Sequence, residues 1–216
     1  MNTSAIGHRV CFFGDSLVNG VRDGEKGGWP MRLGRRLLAD AGREITIYNL
    51  GIRAETTTAL KDRWQREAEL RMVTEFPSVL VFSFGVNDAR HAEERGEETT
   101  MQVAPGLSAA NAHAIISMSA KLAPTLWVGP QAVINGSKSS RTINERLEGL
   151  NQIFSETAVS LDVPYLDLFS ITCREDDPWQ RALRRGDGYH PDGGGYDRVA
   201  DLIWDWSAWR DIFLSG

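Results

Sequence analysis

Cysteine is nearly absent from this chain: two residues in 216, Cys11 and Cys173. That is too few for a disulfide framework, and a reducing, cytoplasmic setting is expected. Cys11 sits inside an apolar run and reads as a small buried hydrophobe rather than a reactive thiol. Long apolar runs are missing too, so no membrane span is expected. The first residues, Met1 to His8, lack a positive segment followed by an apolar stretch, which argues against a signal peptide. Positive charge is outweighed, with 24 Lys and Arg against 29 Asp and Glu and a net charge of −5. Such a balance leaves no basic footprint, and neither nucleic acid nor a membrane surface is expected as a partner. His, Cys and carboxylate residues nowhere recur at metal-ligand spacing, and no Gly-rich loop ending in Lys-Ser or Lys-Thr offers to cradle a phosphate. No metal and no cofactor are therefore expected. Internal repeats, low-complexity tracts and interdomain linkers are also lacking.

What remains is an ordinary globular composition, 42% hydrophobic and 25% charged. The length suits one domain over residues 1–216. Short apolar runs that read as strands alternate with amphipathic segments. The strands are Val10 to Phe13, Ile45 to Tyr48, Val79 to Phe84, Thr125 to Val128 and Val163 to Leu168. Between them, helices are predicted from Trp29-Pro30 to a stop at Gly42 with Leu33, Leu37 and Leu38 on the apolar face, from the threonines at 56–58 to about Arg71, from Leu107 to Leu122, and from Arg141 to Leu161. A last helix is predicted from Gly195 to Phe213, burying Val199, Leu202, Ile203 and Trp206. Trp204 and Trp209 are surplus aromatics there; ordinary packing is favoured, and a contact in a homo-oligomer stays open. Phe169 to Gly186 reads as a long loop. Five strands alternating with helices imply a parallel sheet covered on both faces, an α/β/α domain of three layers.

The first strand ends in Gly14-Asp15-Ser16-Leu17, which places a serine at the carboxyl end of a strand, where open α/β sheets bind ligands. A serine hydroxyl needs a base, a group that orients the base, and donors for an oxyanion. Asp187-Gly188-Tyr189-His190 offers the first two, since a carboxylate three residues before an imidazole can turn back to accept its Nδ1 proton. Asn49-Leu50-Gly51 and Gly85-Val86-Asn87-Asp88 each follow a strand. These blocks, in this order and spanning residues 14 to 190, resemble those of the SGNH hydrolases, also called GDSL-type esterases and lipases. The resemblance implies a flavodoxin-like strand order 2-1-3-4-5, which periodicity does not give. It also implies Ser16 as nucleophile, His190 as general base and Asp187 as its orienting partner. The oxyanion donors would be the N–H groups of Ser16 and Gly51 and the side-chain amide of Asn87.

Other readings of these residues are blander. Ser16 without the other blocks would be a capping serine, and Gly51 a turn glycine. Asp15 is expected to cap backbone amides, and Asp192, a rival partner for His190, to cap the last helix. His8, His91 and His113 read as surface or packing residues. The expected activity is hydrolysis of small-molecule carboxylic esters through an acyl-enzyme. The alternatives are a carbohydrate O-acetyl esterase, a thioesterase or, in another class, a non-catalytic flavodoxin-like binding module. Val18 to Gly28, the acidic Ala89 to Val103 and Gln131 to Ser140 are expected to border the site. Their polarity points to short acyl groups.

Overall fold

A computed structural model describes residues 7–40, 44–73, 75–91 and 101–214. The first apolar run becomes β1 (His8–Gly14), followed by α1 (Ser16–Asn19), a 3-10 turn (Gly24–Lys26), α2 (Gly28–Asp40), β2 (Ile45–Gly51) and α3 (Thr57–Glu69). Then come β3 (Ser78–Ser83), α4 (Val86–Ala89), α5 (Pro105–Leu122), β4 (Thr125–Val128), α6 (Lys138–Ser160) and β5 (Tyr165–Leu166). The chain ends with α7 (Phe169–Thr172), α8 (Pro178–Arg185), α9 (Gly193–Asp205) and α10 (Ser207–Phe213). The strands form one sheet of order β2-β1-β3-β4-β5, and every pairing is parallel. The order implied by the family resemblance is the one observed. Because the chain steps from β1 outward to β2 and then back past β1 to β3, right-handed crossovers send α2 to one face and α3, α5 and α6 to the other. α2 accordingly packs on α9, while α3 meets α5 and α5 meets α6. The reversal of direction opens a crevice at the carboxyl ends of β1 and β3.

Successive residues of β1 point to opposite faces, and both faces are filled with aromatic rings. Phe12 meets Trp29 edge-on at 5.3 Å, whereas Phe13 stacks on Phe82 at 5.3 Å and faces Trp64 at 6.2 Å. This two-sided burial is why β1 and β3 read as unbroken apolar runs rather than alternating ones.

Several local expectations change. The segment 169–186 is not one long loop but contains α7 and α8. Asp177 caps α8 by accepting the Trp179 N–H at 2.8 Å, Pro178 occupies the first turn, and Trp179, Ala182 and Leu183 are buried. The single helix expected from 195 to 213 starts at Gly193 and breaks at Trp206, whose extended ψ of 127° redirects the chain. The break lets Trp209 enter the core fully buried beneath Phe12, 6.4 Å away, so Trp209 is a packing residue. Trp204 is half-buried under the guanidinium of Arg36, at 5.9 Å. The buried stripe of α2 runs through Pro30, Leu33, Gly34 and Leu37, which leaves Leu38 outside it and 64% exposed. The fifth strand shortens to the two residues that pair with β4. The expected helix stop at Gly42, residues 1–6 of the amino terminus and residues 92–100 of the acidic insertion lie outside the described residues. Among the described residues no helix is long and apolar enough to cross a membrane.

Candidate active site

β1 delivers its last residues tightly against β3. An added Cβ at Gly14 would lie 1.8 Å from the carbonyl oxygen of Ser83, and its φ is +153°, so glycine alone fits there. The chain then turns into α1, capped by Asp15, whose Oδ1 accepts the Leu17 N–H at 2.8 Å. Ser16 is the first residue of that helix and projects into the crevice, 7% exposed. At this position a helix leaves the backbone N–H without an intrahelical acceptor.

His190 arrives from the loop between α8 and α9. Asp187 shapes that loop: its Oδ1 accepts the N–H groups of Tyr189 at 3.0 Å and His190 at 2.7 Å. Its Oδ2 lies 2.9 Å from His190 Nδ1, and His190 Nε2 lies 2.8 Å from Ser16 Oγ. Partial burial raises the Asp187 carboxyl, but the hydrogen bonds from His190 and Tyr189 outweigh it and hold the group below the usual carboxylate range. The loop is anchored by the Ile134 N–H, which donates to Gly188 O at 2.9 Å. Residues 131–140, expected to border the cleft, do not line it, and Ile134 instead ties this segment to the loop that carries His190. Asp192, the rival carboxylate, accepts the Gly194 N–H at 3.1 Å and pairs with Arg185, capping α9 as expected. The other histidines stand apart: His8 packs edge-on against Phe213, His91 meets Ser139 at 3.2 Å, and His113 is exposed.

Asn87 comes from α4 and is 5% exposed. Its Nδ2 donates to Glu55 O at 3.0 Å and approaches Asp15 Oδ2 at 3.4 Å. The adjacent Asp88 is held by Thr57 N and Oγ1 at 2.9 and 2.6 Å and by Ser108 Oγ at 2.6 Å, which fixes α4 against α3 and α5. Gly51 is placed differently from the expectation. Its N–H donates to Asn49 Oδ1 at 3.2 Å, and an added Cβ would lie 2.3 Å from Asn19 N and 2.7 Å from Asp15 O. Glycine is needed there so that the α1 turn can pack on β2. The residue that borders the cleft is Ala54, three positions later, at φ +60° and with no hydrogen bond to its N–H among the described residues.

Ser16, Ala54, Asn87 and His190 line one cleft of about 380 Å³. Its remaining walls include Arg53, Arg90 and Tyr189, which sequence reasoning did not single out, while residues 18–28 do not line it. Among the described residues no group of three or more His, Cys, Asp or Glu side chains gathers to hold a metal ion.

Burial pushes the Asp15 carboxyl up to about 7 from a usual 3.8; the Leu17 N–H opposes this and the carboxylates of Glu55 and Asp88 reinforce it. Because its pKa is raised on folding, Asp15 stabilises the fold fully below about pH 4, and that contribution is lost as pH rises through about 7. The stability of the wild type relative to Asp15→Asn is expected to fall by about 1.4 kcal/mol per pH unit across this window. Urea denaturation from pH 4 to pH 8 measures it, and a flat difference would refute the shift.

The model of the GDSL-like lipase/acylhydrolase family matches residues 12–198. No curated protein matches the sequence. Among solved structures, the chain is similar to an acetyl-xylooligosaccharide esterase variant from Geobacillus stearothermophilus, with 17% identity, TM-score 0.73, and 96% of this chain and 98% of that one covered. A lipase/acylhydrolase from Enterococcus faecalis is similar at 23% identity and TM-score 0.70, covering 91% and 93%. An alpha/beta hydrolase from the metagenome of Lake Arreo, Spain, is similar at 19% identity and TM-score 0.72, covering 92% and 94%. At these identities the similarity is one of fold.

Proposed function

The chain belongs to the GDSL-like lipase/acylhydrolase family, and from that premise we propose that this ester-hydrolysing enzyme works through Ser16, His190 and Asp187 by way of an acyl-enzyme, as one domain over residues 1–216. The observation that carries the reading is the continuous hydrogen-bonded line from Ser16 Oγ to His190 to Asp187, 2.8 and then 2.9 Å. Ser16 Oγ attacks the ester carbonyl as its proton passes to His190 Nε2. Asp187 holds Nδ1 protonated and stabilises the imidazolium. The tetrahedral oxyanion takes the N–H of Ser16 and, in place of Gly51, that of Ala54. It also draws Asn87 Nδ2 away from its long contact with Asp15. His190 then protonates the leaving alcohol, and water repeats the sequence on the acyl-enzyme. A preorganised donor of this kind is typically worth about 3 kcal/mol in the transition state.

Among the lining residues only Leu17, Ala54, Val86 and the ring of Tyr189 are apolar. Each methylene gains about 0.8 kcal/mol only where it finds apolar surface, so the cleft suits short acyl groups. kcat/KM is expected to fall from p-nitrophenyl acetate and butyrate to the decanoate; a preference for decanoate would overturn the short-acyl reading. The same polarity favours removal of acetyl groups from a carbohydrate as the second reading, and turnover of acetylated xylan measures it.

A further inference from the structure

Several arginines of this protein are held by carboxylates. Arg32 pairs with Asp23 and Asp197, Arg63 with Glu55 and Glu67, and Arg198 with Asp177. Arg53 differs: it is exposed, it lines the same cleft as Ser16 and His190, and it makes no hydrogen bond, ion pair or ring contact among the described residues. A second guanidinium, that of Arg90, lines this cleft and lies 5.1 Å from the centre of the Tyr189 ring, beside His190 in the chain. The carboxylate among the lining residues is Asp187, whose oxygens accept the His190 Nδ1–H and the Tyr189 and His190 amides. Two guanidinium groups and one carboxylate thus line the cleft among the described residues.

We propose that the cleft selects esters bearing an anionic group, a carboxylate or an oxyanion of similar shape, which Arg53 binds at the rim. This rests on the hydrolase reading above. A guanidinium presents a planar fork of N–H donors that matches a carboxylate with two parallel hydrogen bonds. The local positive field also raises the concentration of anionic substrate at the cleft. An apolar acyl chain would gain little from these walls, while a short charged ester gains a partner. The charge can sit on the acyl group or on the leaving alcohol, and both place a carboxylate within a few bonds of the carbonyl.

Two matched pairs test this at low ionic strength. 4-Nitrophenyl hemisuccinate against 4-nitrophenyl butyrate puts the charge on the acyl side. 4-Acetoxybenzoate against 4-acetoxybenzamide puts it on the leaving group. With each rate divided by that for hydroxide, the anionic member of at least one pair is expected to show kcat/KM about tenfold higher, mainly through KM, as for a hydrogen bond to a charged group near a surface. The ratio should approach one in Arg53→Gln, invert in Arg53→Glu, shrink with added salt, and keep its wild-type value in Lys121→Gln, an exposed charge at the end of α5. The responsive pair identifies the side that bears the charge. Ratios of one or below in both pairs, or a ratio unchanged by Arg53→Gln, would overturn the proposal while neutral esters are still hydrolysed. Failure to hydrolyse any ester would overturn the hydrolase reading itself, and this proposal with it.

Discussion

Ser16→Ala is expected to lower kcat on p-nitrophenyl acetate by on the order of a millionfold, the scale of loss for a nucleophilic serine. The substitution removes one oxygen, which hydrogen-bonds to His190 Nε2 at 2.8 Å. The turn that presents it is held by other groups: the Asp15 cap on Leu17 N and the Asn19 N–H to Asp15 O at 3.0 Å. The variant should therefore melt within a few degrees of the wild type, which separates lost chemistry from lost fold. A fluorophosphonate should label the wild type at Ser16 and leave the variant unlabelled. Because nucleophile and base act as a unit, His190→Ala combined with Ser16→Ala should be no slower than the worse single variant. A variant that kept a tenth of wild-type turnover would show that Ser16 is not the nucleophile.

The second large effect is expected from Asp187→Asn, a loss of roughly ten-thousandfold in kcat. An asparagine Oδ1 can still accept the Tyr189 and His190 N–H groups, so the loop keeps its shape. Its Nδ2, however, would point a donor at His190 Nδ1 where a carboxylate oxygen now lies at 2.9 Å. The imidazole would answer by placing its proton on Nε2, facing Ser16 Oγ, and could no longer accept the serine proton. Since the Asp187 carboxyl is held below the usual range, it stays ionised through mildly acidic pH. Asp192→Asn is the control: it touches the cap of α9 and the exposed pair with Arg185, so its effect should fall on stability and be small. If Asp192→Asn proved the more damaging of the two, the orienting carboxylate would have been misassigned.

How these residues come to be neighbours divides into what short range encodes and what it does not. The Asp187 and His190 contact is local, three residues apart, and the turn that makes it uses the carboxylate's own oxygens on nearby amides. The strand that presents Ser16 announces itself by an apolar run ended by glycine, because a central parallel strand is buried on both faces. The cap at Asp192 and the helical stripes of α2 and α6 are equally local, set by periodicity and end chemistry. Strand order came from the motif resemblance, since the alternation of strands and helices is compatible with several orders.

Tertiary packing decided the remainder. Gly51 attracted the donor role because glycine marks backbone approach, but what approaches it is the α1 turn; the cleft is reached by Ala54, at a positive φ that alanine rarely adopts. The break at Trp206 follows from room for Trp209 beneath Phe12, a contact between residues 197 apart in the chain that no window of sequence contains. Arg53, Arg90 and Tyr189 share one cleft because β2, β3 and the loop before α9 end at the same edge of the sheet. The chemistry of single loops was therefore readable in the sequence, because it depends on neighbours a few residues away. The walls that select a substrate belong to the fold, because they are assembled from chain ends that only the crossovers bring together.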